Sequence, residues 1–400
     1  MLAEPPAAAP RNDRETRSAR RQLALALAAQ APDALAAWLD AHPLSLADLE
    51  WLQAQGLALF AFHRMQQADL LDRAPAGVIA PWQEAYQRVV TATAAMDWEI
   101  ERVLLALQQA GVDFIWLKGA ALAYAVYANP ACRLRGDLDL WIQPEQLPLA
   151  AAVLADLGFR LASKEDRPDA LVLLVGGEQQ LVGDGTILEL IELQWPVLRG
   201  EWVRHTTAID HQAIWQRRAA IALGEQSFPT LTPEDTLLHL AQHQAISHQF
   251  SAPWLRNLLD VHLLVAAGRL NWPQTTATAR SWRLATVLWT VLHLAQRLLD
   301  TPAPPAAMQA LAPPPWQRWL IGRLHLEEAL LTMQSGGYGH RRFLIQIALI
   351  DRVRDVVRLL ARGLFPDADW LRARYGLTPG ARLARWRLLH IWRLATAARA

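Results

Sequence analysis

The spacing of apolar residues changes twice along the chain, and this constrains the fold more than any other feature. From residue 18 to about 109 the apolar residues recur with the period of amphipathic helices. Between about 114 and 195 they form short runs of strand length, separated by turns and helical segments. From Thr232 the helical period returns and continues to the end. This order predicts a mixed α+β fold, with a small sheet core between two helical regions.

The same changes of period divide the chain into four regions. Pro43 and Pro81 are expected to separate N-terminal helices, and Gly111 is expected to end the last of them. Within the core we expect strands at 114–117, 138–142 and 159–162, a helix at 144–158, an apolar run at 171–175 and a hairpin turn at 183–185. The predicted regions are a flexible tail at 1–17, helices at 18–110, an α/β core at 111–230 and a helical domain with an arginine-rich tail at 231–400.

Composition narrows the class of protein. Hydrophobic residues make up 52% of the chain and charged residues 19%, as in compact globular proteins. The net charge of +1 argues against a protein built wholly around a nucleic-acid backbone. Cys132 is the single cysteine, so no internal disulfide can form. The N-terminal residues lack the apolar core of a signal peptide, and we therefore expect a cytoplasmic protein.

Two acids on one predicted strand are the first candidates for chemistry. Asp137 and Asp139 are two residues apart, so both carboxylates project from the same face of the strand. Converging carboxylates repel each other unless a cation lies between them, and hard oxygen ligands favour Mg²⁺ or Mn²⁺. A third acid would complete such a site. Glu192 lies in the next long apolar run, whereas Glu189 would face the other way and is the weaker candidate.

The predicted turn before these acids suits an anion. Lys118, Gly119 and Ala120 end one strand and open a helix, whose N-terminus offers free N–H groups and a positive dipole end. Glycine allows a phosphate to approach the backbone closely. Lys118 has a second interpretation as a structural partner of Asp137. Arg135 is equally open to a phosphate contact or to pairing with an acid of the site.

Together these segments resemble the nucleotidyltransferase superfamily of DNA polymerase beta type, in its uncharacterised bacterial branch. The resemblance covers about residues 90–380 and is strongest over 112–142. It rests on an LKGAAL turn, an arginine before D-L-D-L, and E-L-Q-W, with LTPEDTLLHLAQHQ, LRNLLDVHLL and FPDADWLRARYG as further similar blocks. Lys118 and Gly119 match the turn, Arg133 or Arg135 matches the arginine, Asp137 and Asp139 match the metal ligands, and Glu192 matches the later acid. The family's second turn residue, serine or glycine, is Ala120 here, and its histidine is Gln194.

The resemblance implies a Mg²⁺-dependent enzyme that moves a nucleoside monophosphate from a nucleoside triphosphate to an acceptor hydroxyl and releases pyrophosphate. Asp137, Asp139 and Glu192 would hold the metal, while the 118–120 turn and Arg133 or Arg135 would bind the triphosphate. Glu192 would also orient or deprotonate the acceptor hydroxyl. A small molecule or a peptide is the expected acceptor. The Ala120 and Gln194 departures leave open a nucleotide-binding scaffold without catalysis. A nucleotidyltransferase acting on RNA through the arginine-rich tail is a third interpretation.

Other residues have weaker signals. His239 and His243 are four apart on a predicted helix, near His248 and His262, and are expected to form a wall of the cleft rather than a zinc site. Cys132 is expected to be an ordinary loop thiol. From residue 338 onward the chain has 13 arginines and four aspartates among Leu, Trp and Ile. Such basic amphipathic helices either pack one face and solvate the other, or lie on anionic lipid or RNA.

Overall fold

The fold is mixed α+β, as the sequence predicts. The computed structural model describes residues 13–29, 31–162, 168–250, 254–331 and 340–397. In these residues one seven-stranded sheet lies between an N-terminal and a C-terminal group of helices. Within the described residues, no helix combines the length and the apolar character that a membrane crossing demands.

Five helices precede the sheet: α1 (Asp13–Ala28), α2 (Pro32–Ala41), α3 (Leu46–Ala54), α4 (Ala58–Gln67) and α5 (Ala76–Gln109). The predicted flexible tail is wrong for residues 13–17, which form the first turns of α1; residues 1–12 lie outside the described residues. Arg17, in this first part of α1, lies 3.9 Å from Glu328.

Proline has different effects at the two predicted breaks. Pro43 lies between α2 and α3, as expected. Pro81 does not separate two helices, because it lies inside the 34-residue helix α5, five positions after its start at Ala76. The proline removes one backbone hydrogen bond because it lacks an N–H, and α5 nevertheless continues through it. Gly111 follows the end of α5 with φ of +75°, a conformation that glycine adopts readily.

The core contains all the strands of the described residues, connected by helices. In chain order it contains β1 (Phe114–Leu117), α6 (Lys118–Val126), β2 (Asp137–Ile142), α7 (Leu147–Asp156), β3 (Phe159–Ala162), α8 (Asp169–Leu171), β4 (Glu178–Gly183), β5 (Leu190–Gln194), α9 (Glu201–Thr206), α10 (His211–Gln216), β6 (Ala219–Leu223) and β7 (Gln226–Thr230). The apolar run at 171–175 is helical, since α8 continues as a π-helix over Val172–Gly176. The hairpin β6–β7 carries no signal that we identified in the sequence.

The sheet order is β3-β4-β5-β2-β1-β7-β6, with β2 beside both β1 and β5. Strand β2 runs antiparallel to β1 and parallel to β5. Its alternate residues face two different cores. Leu138, Leu140 and Ile142 pack with α5 and α7, whereas Trp141 faces the larger cluster formed by the N-terminal and C-terminal helices. Asp137 and Asp139 share the face of Trp141.

The helical period that begins at Thr232 is confirmed. Thr232 caps the first helix by accepting a hydrogen bond from the N–H of Asp235. The helices are α11 (Pro233–Gln242), continued by a π-helix (His243–Ser247), α12 (Trp254–Ala266), α13 (Trp272–Ser281), α14 (Ala285–Leu299), α15 (Pro305–Leu311), α16 (Pro315–Gly322), α17 (Leu326–Leu331), α18 (His340–Ala348), α19 (Val353–Leu364), α20 (Ala368–Tyr375) and α21 (Leu383–Ala397).

Candidate active site

Two acids and one lysine meet where β1, β2 and β5 lie side by side. Asp139 on β2 and Glu192 on β5 are paired residues of neighbouring parallel strands, so they lie on one face of the sheet. Lys118 Nζ contacts Asp139 Oδ1 and lies 3.4 Å from Glu192 Oε2. Asp139 is only 2% exposed. The lysine therefore bridges two of the three acids that the sequence identifies, and its partner is Asp139 rather than Asp137.

Glu192 has further partners. Gln180, the residue paired with it on β4, donates a hydrogen bond from Nε2 to Glu192 Oε1 over 2.7 Å. Arg199, in the segment after β5, places Nη2 3.6 Å from Glu192 Oε2 and also pairs with Glu178. Side chains of the protein itself therefore engage both carboxylate oxygens of Glu192.

These neighbours shift the pKa values of both acids. Burial raises the pKa of Asp139 to about 8; Lys118 opposes this rise, and the charges of Asp137 and Glu192 add to it. Burial also acts to raise the pKa of Glu192, but Lys118 and hydrogen bonds outweigh it and hold that pKa at about 2. Glu192 is therefore the ionised partner of Lys118. Another cation beside Asp139 would lower its pKa.

Asp137 and Asp139 line a cleft of about 430 Å³ between the sheet and the C-terminal helices. Both residues lie on β2, as predicted, and Asp137 is partly exposed. Across the cleft are three histidines from the α11 region and Arg256 of α12. The cleft has room for a ligand with several phosphates beside two carboxylates.

The turn between β1 and α6 borders the same cleft. Lys118 has φ of +54°, a left-handed conformation that costs a non-glycine residue about 1 kcal/mol or more. Its contacts with Asp139 and Glu192 hold it in this conformation. At Gly119 an added Cβ would lie 3.3 Å from both terminal nitrogens of Arg133. Glycine thus lets a guanidinium approach the first turn of α6, where backbone N–H groups point out of the helix.

Arg133 lines the cleft but is held by an acid that is distant in sequence. Its Nε donates to Asp260 Oδ1 over 2.9 Å, and its Nη2 donates to Asp260 Oδ2 over 2.9 Å. The Tyr127 hydroxyl donates to the same carboxylate over 2.7 Å. Asp260 is fully buried. This network fixes a positive charge beside the α6 turn, while a contact between Arg133 and phosphate stays a prediction.

One of the two predicted roles of Arg135 is pairing with an acid of the site, and its ion pair is made elsewhere. The acid is Asp97 of α5 rather than an acid of the site. The guanidinium also lies 5.2 Å from the centre of the Tyr124 ring. Its side chain is 4% exposed, although Arg135 is among the residues that line the cleft. A contact between Arg135 and phosphate stays a prediction.

His239, His243 and His248 form one wall of the cleft, as expected for the first two. Burial, with the charges of Lys118 and Arg199, lowers the pKa of His239 to about 3. Burial and Lys118 also lower the pKa of His248 to about 4. The rings of His243 and His248 meet edge to face, with centroids 4.2 Å apart. At neutral pH this wall is therefore aromatic and uncharged.

Two residues with weak sequence signals lie away from the acids. His262 is hydrogen-bonded through Nδ1 to the Thr301 hydroxyl over 3.1 Å, in the helical core, and does not line the cleft. Cys132 is buried in a short 3₁₀ turn, and burial raises the pKa of its thiol to about 12. A thiol of this pKa is unreactive at neutral pH.

The acids that face the cleft fit a hard divalent cation. Mg²⁺ usually takes one or two carboxylates from a protein and completes its octahedron with water and substrate phosphates. Asp137 and Asp139 supply such a pair on one face of β2, at the cleft. Among the described residues, no group of three His, Cys, Asp or Glu side chains is placed to hold a metal ion. Glu192 as a third ligand therefore stays a prediction.

Three residues near the acids were missed by the sequence interpretation. Arg256 lies in the LRNLLDVHLL block, whose resemblance to the family was a usable signal. Its Nη1 lies 3.4 Å from the carbonyl oxygen of Leu134, beside the cleft. Gln180 and Arg199 had no signal, because only the pairing of β4 with β5 brings them to Glu192.

The chain is similar to a known protein family. A family described as uncharacterised nucleotidyltransferases matches residues 47–300, which is more than half of the chain. The chain belongs to this nucleotidyltransferase family. The match confirms the family resemblance, which includes the turn and the paired acids of β2. It begins earlier than the predicted residue 90 and ends before the FPDADWLRARYG block.

Two further comparisons concern individual proteins. This nucleotidyltransferase is similar to a solved structure, an antigenic nucleotidyltransferase-like protein from Paracoccidioides brasiliensis. The identity is 18%, the match covers 54% of this chain and 93% of that chain, and the TM-score is 0.32. No curated protein is significantly similar to the chain.

Proposed function

We propose that this nucleotidyltransferase transfers a nucleoside monophosphate from a nucleoside triphosphate to an acceptor hydroxyl, with Mg²⁺ held by Asp137 and Asp139. The observation that carries the proposal is the cleft itself. Two carboxylates from β2 line it together with the Lys118–Gly119 turn that opens α6. Carboxylates for a metal beside an anion-binding turn are what a triphosphate bound through a metal needs.

The protein's own groups would bind the triphosphate around this turn. The N–H groups of Gly119 and Ala120 lie in the first turn of α6, where the helix dipole favours an anion. Arg133 adds a positive charge held in place by Asp260, and Arg256 borders the same cleft. The uncharged histidine wall offers aromatic faces to the base or to the acceptor.

Glu192 suits a positioning role better than that of a general base. Its pKa of about 2 makes it a weak proton acceptor, because effective bases have a pKa near the working pH. Its contacts with Lys118, Gln180 and Arg199 instead fix the lysine beside Asp139. We therefore assign Glu192 to orienting Lys118.

The reaction forms one bond and breaks another at the α-phosphorus. The acceptor oxygen bonds to this phosphorus and loses its proton to solvent, while the bond to the bridging oxygen breaks and pyrophosphate leaves. Mg²⁺, when bound, neutralises charge on the phosphate oxygens during this displacement. Lys118 and the α6 turn keep the triphosphate in line for attack. Positioning and charge neutralisation supply most of the rate.

A second candidate is a nucleotide-binding protein without turnover. The ion pairs of Lys118 with Asp139 and Glu192 favour this second candidate. The lysine already balances carboxylate charge that would otherwise need a metal ion. In this case nucleotide binds at the α6 turn and is released unchanged. The acceptor is left to experiment, and a small molecule or a peptide is our first proposal.

A transfer assay separates these functions. The full chain is incubated with cell extract and each nucleoside triphosphate, labelled either at the α or at the γ phosphorus, with Mg²⁺ or with EDTA. We expect the α label, and not the γ label, to appear on one acceptor with Mg²⁺ and to be absent with EDTA. Transfer of the γ label would make the protein a kinase instead. Binding of nucleotide without any consumption would favour the second candidate.

A further inference from the structure

Helix α19 exposes an apolar stripe to solvent. Val353, Val357, Leu360 and Leu364 have relative exposures from 38% to 65%. Their spacing of four, three and four residues places them on one face of the helix. Phe365, directly after the helix, is 58% exposed. A continuous stripe of this kind indicates an interaction surface more strongly than scattered apolar residues do.

The helix is held with this face outward. Asp355, on the opposite side, is fully buried and lies 3.3 Å from Arg283 Nη1. Val356 and Leu359 pack against the large apolar core. Turning the stripe inward would expose Asp355 and break its ion pair, which is costly for a buried charge. The stripe is therefore available to a partner and not to the core of this chain.

Positive charge is concentrated in the same part of the chain. Arg354, Arg358 and Arg362 follow one another at four-residue spacing on α19, between the stripe and the side of Asp355, and all three are exposed. Arg354 and Arg358 also lie 4.0 and 3.8 Å from the Asp355 carboxylate. Residues 338–400 carry 13 arginines and four aspartates, a surplus of nine positive charges. Because the whole chain has a net charge of +1, residues 1–337 carry a net charge of −8. The charge of the chain is therefore unevenly distributed, with the positive surplus in residues 338–400.

We propose that α19 lies on the surface of an anionic lipid bilayer. The apolar stripe enters the boundary between headgroups and acyl chains, and the exposed arginines of the polar side of α19 contact lipid phosphates. Exposed Leu388 and Trp392 on α21, in a stretch without any acidic residue, extend the same chemistry. Such binding would hold the enzyme at a membrane surface.

Charge and apolar character together favour lipid over other occupants. RNA would contact the arginines but would leave the Val and Leu stripe in water. A second copy of the chain would cover the stripe but would bring two clusters of arginines together, and like charges repel. A bilayer with acidic lipids offers an apolar interior to the stripe and negative phosphates to the arginines.

Vesicle flotation of the full chain tests this proposal. Vesicles of phosphatidylcholine with about 30% phosphatidylglycerol are compared with phosphatidylcholine alone, and we expect binding to the first only. The variant R354Q/R358Q/R362Q should lower the partition coefficient about a hundredfold, from about 1 kcal/mol for each arginine at the surface. The variant V357S/L360S/L364S should lower it at least about tenfold, because its exposed stripe becomes polar.

Matched controls keep the result specific. L46S/L149S/L161S changes three equally exposed leucines outside the C-terminal region and should bind as the unaltered protein does. Equal binding to both vesicle types would overturn the proposal. So would unchanged binding of the serine variant of α19, which would indicate charge attraction alone, as expected for RNA. A dimer that forms without vesicles and is lost in that variant would show instead that the stripe is an interface between two copies.

Discussion

Replacing Asp137 and Asp139 together by asparagine is expected to lower nucleoside triphosphate turnover on the order of a thousandfold or more. Asparagine keeps the size of each side chain but removes the negative charges that would hold Mg²⁺ in the cleft. Lys118 keeps Glu192 as an ion-pair partner at 3.4 Å, so the site loses metal affinity without leaving a buried cation alone. Turnover is measured as pyrophosphate release with saturating Mg²⁺ and nucleotide.

Glu189→Gln is the matched control for this double variant. Glu189 is exposed and lies three residues before Glu192, outside β5, so its loss should change turnover by less than about twofold. Circular dichroism should show the same helical content for both variants, because neither change touches the helical cores. If D137N/D139N turned over nucleotide as fast as the unaltered protein, these acids would not form the metal site.

Replacing Asp260 by alanine is expected to destabilise the protein by about 3–5 kcal/mol. Asp260 is fully buried and accepts hydrogen bonds from Arg133 and Tyr127. Removing it leaves the Arg133 guanidinium, whose side chain is 8% exposed, without its counter-charge in a region of low dielectric. The change is read from the midpoint of urea denaturation, followed by circular dichroism.

An exposed ion pair provides the comparison. Asp184 lies 3.1 Å from Arg160, and both side chains are about 70% exposed. Asp184→Ala should cost no more than about 0.5 kcal/mol, because water and salt screen exposed pairs. Equal denaturation midpoints for the two variants would mean that the Arg133–Asp260 network does not stabilise the fold.

Much of the fold follows from local patterns. The strands at 114–117, 138–142 and 159–162 have the length and the apolar runs that β structure requires, and all three are confirmed. Glycines at 183 and 185 predicted the reversal that joins β4 to β5. Asp137 and Asp139 are two residues apart on one strand. Because side chains alternate along a strand, this spacing predicts that both lie on the same face. These features depend on residues that are close together in the sequence, and they can therefore be predicted from it.

The remaining features depend on partners that are distant in sequence. Arg133 meets Asp260, which is 127 residues away, and Glu192 meets Gln180 because β4 pairs with β5. Residues 172–176 form a π-helix, although their apolar run is also typical of a strand. Short apolar runs fit either structure, so the sequence alone does not distinguish them. The left-handed conformation of Lys118 reflects its contacts with the buried Asp139 and the partly buried Glu192.

The stability of the fold and the chemistry of the cleft share one network. The Asp260 carboxylate joins α12 to the segment before β2 and keeps Arg133 beside the turn at Gly119. The same turn carries Lys118, which bridges the acids of β2 and β5. A nucleotide bound there would meet charges that are already in place, so little reorganisation is needed on binding.

The location of the metal tests the central claim most directly. Crystals grown with Mn²⁺ and a nucleoside triphosphate analogue that cannot be hydrolysed would show the metal by anomalous scattering. The account predicts a peak about 2.1 Å from carboxylate oxygens of Asp137 and Asp139, with the phosphates at the first turn of α6. A Mn²⁺ peak or a triphosphate bound elsewhere, with Asp139 still paired to Lys118 in an otherwise vacant cleft, would contradict it.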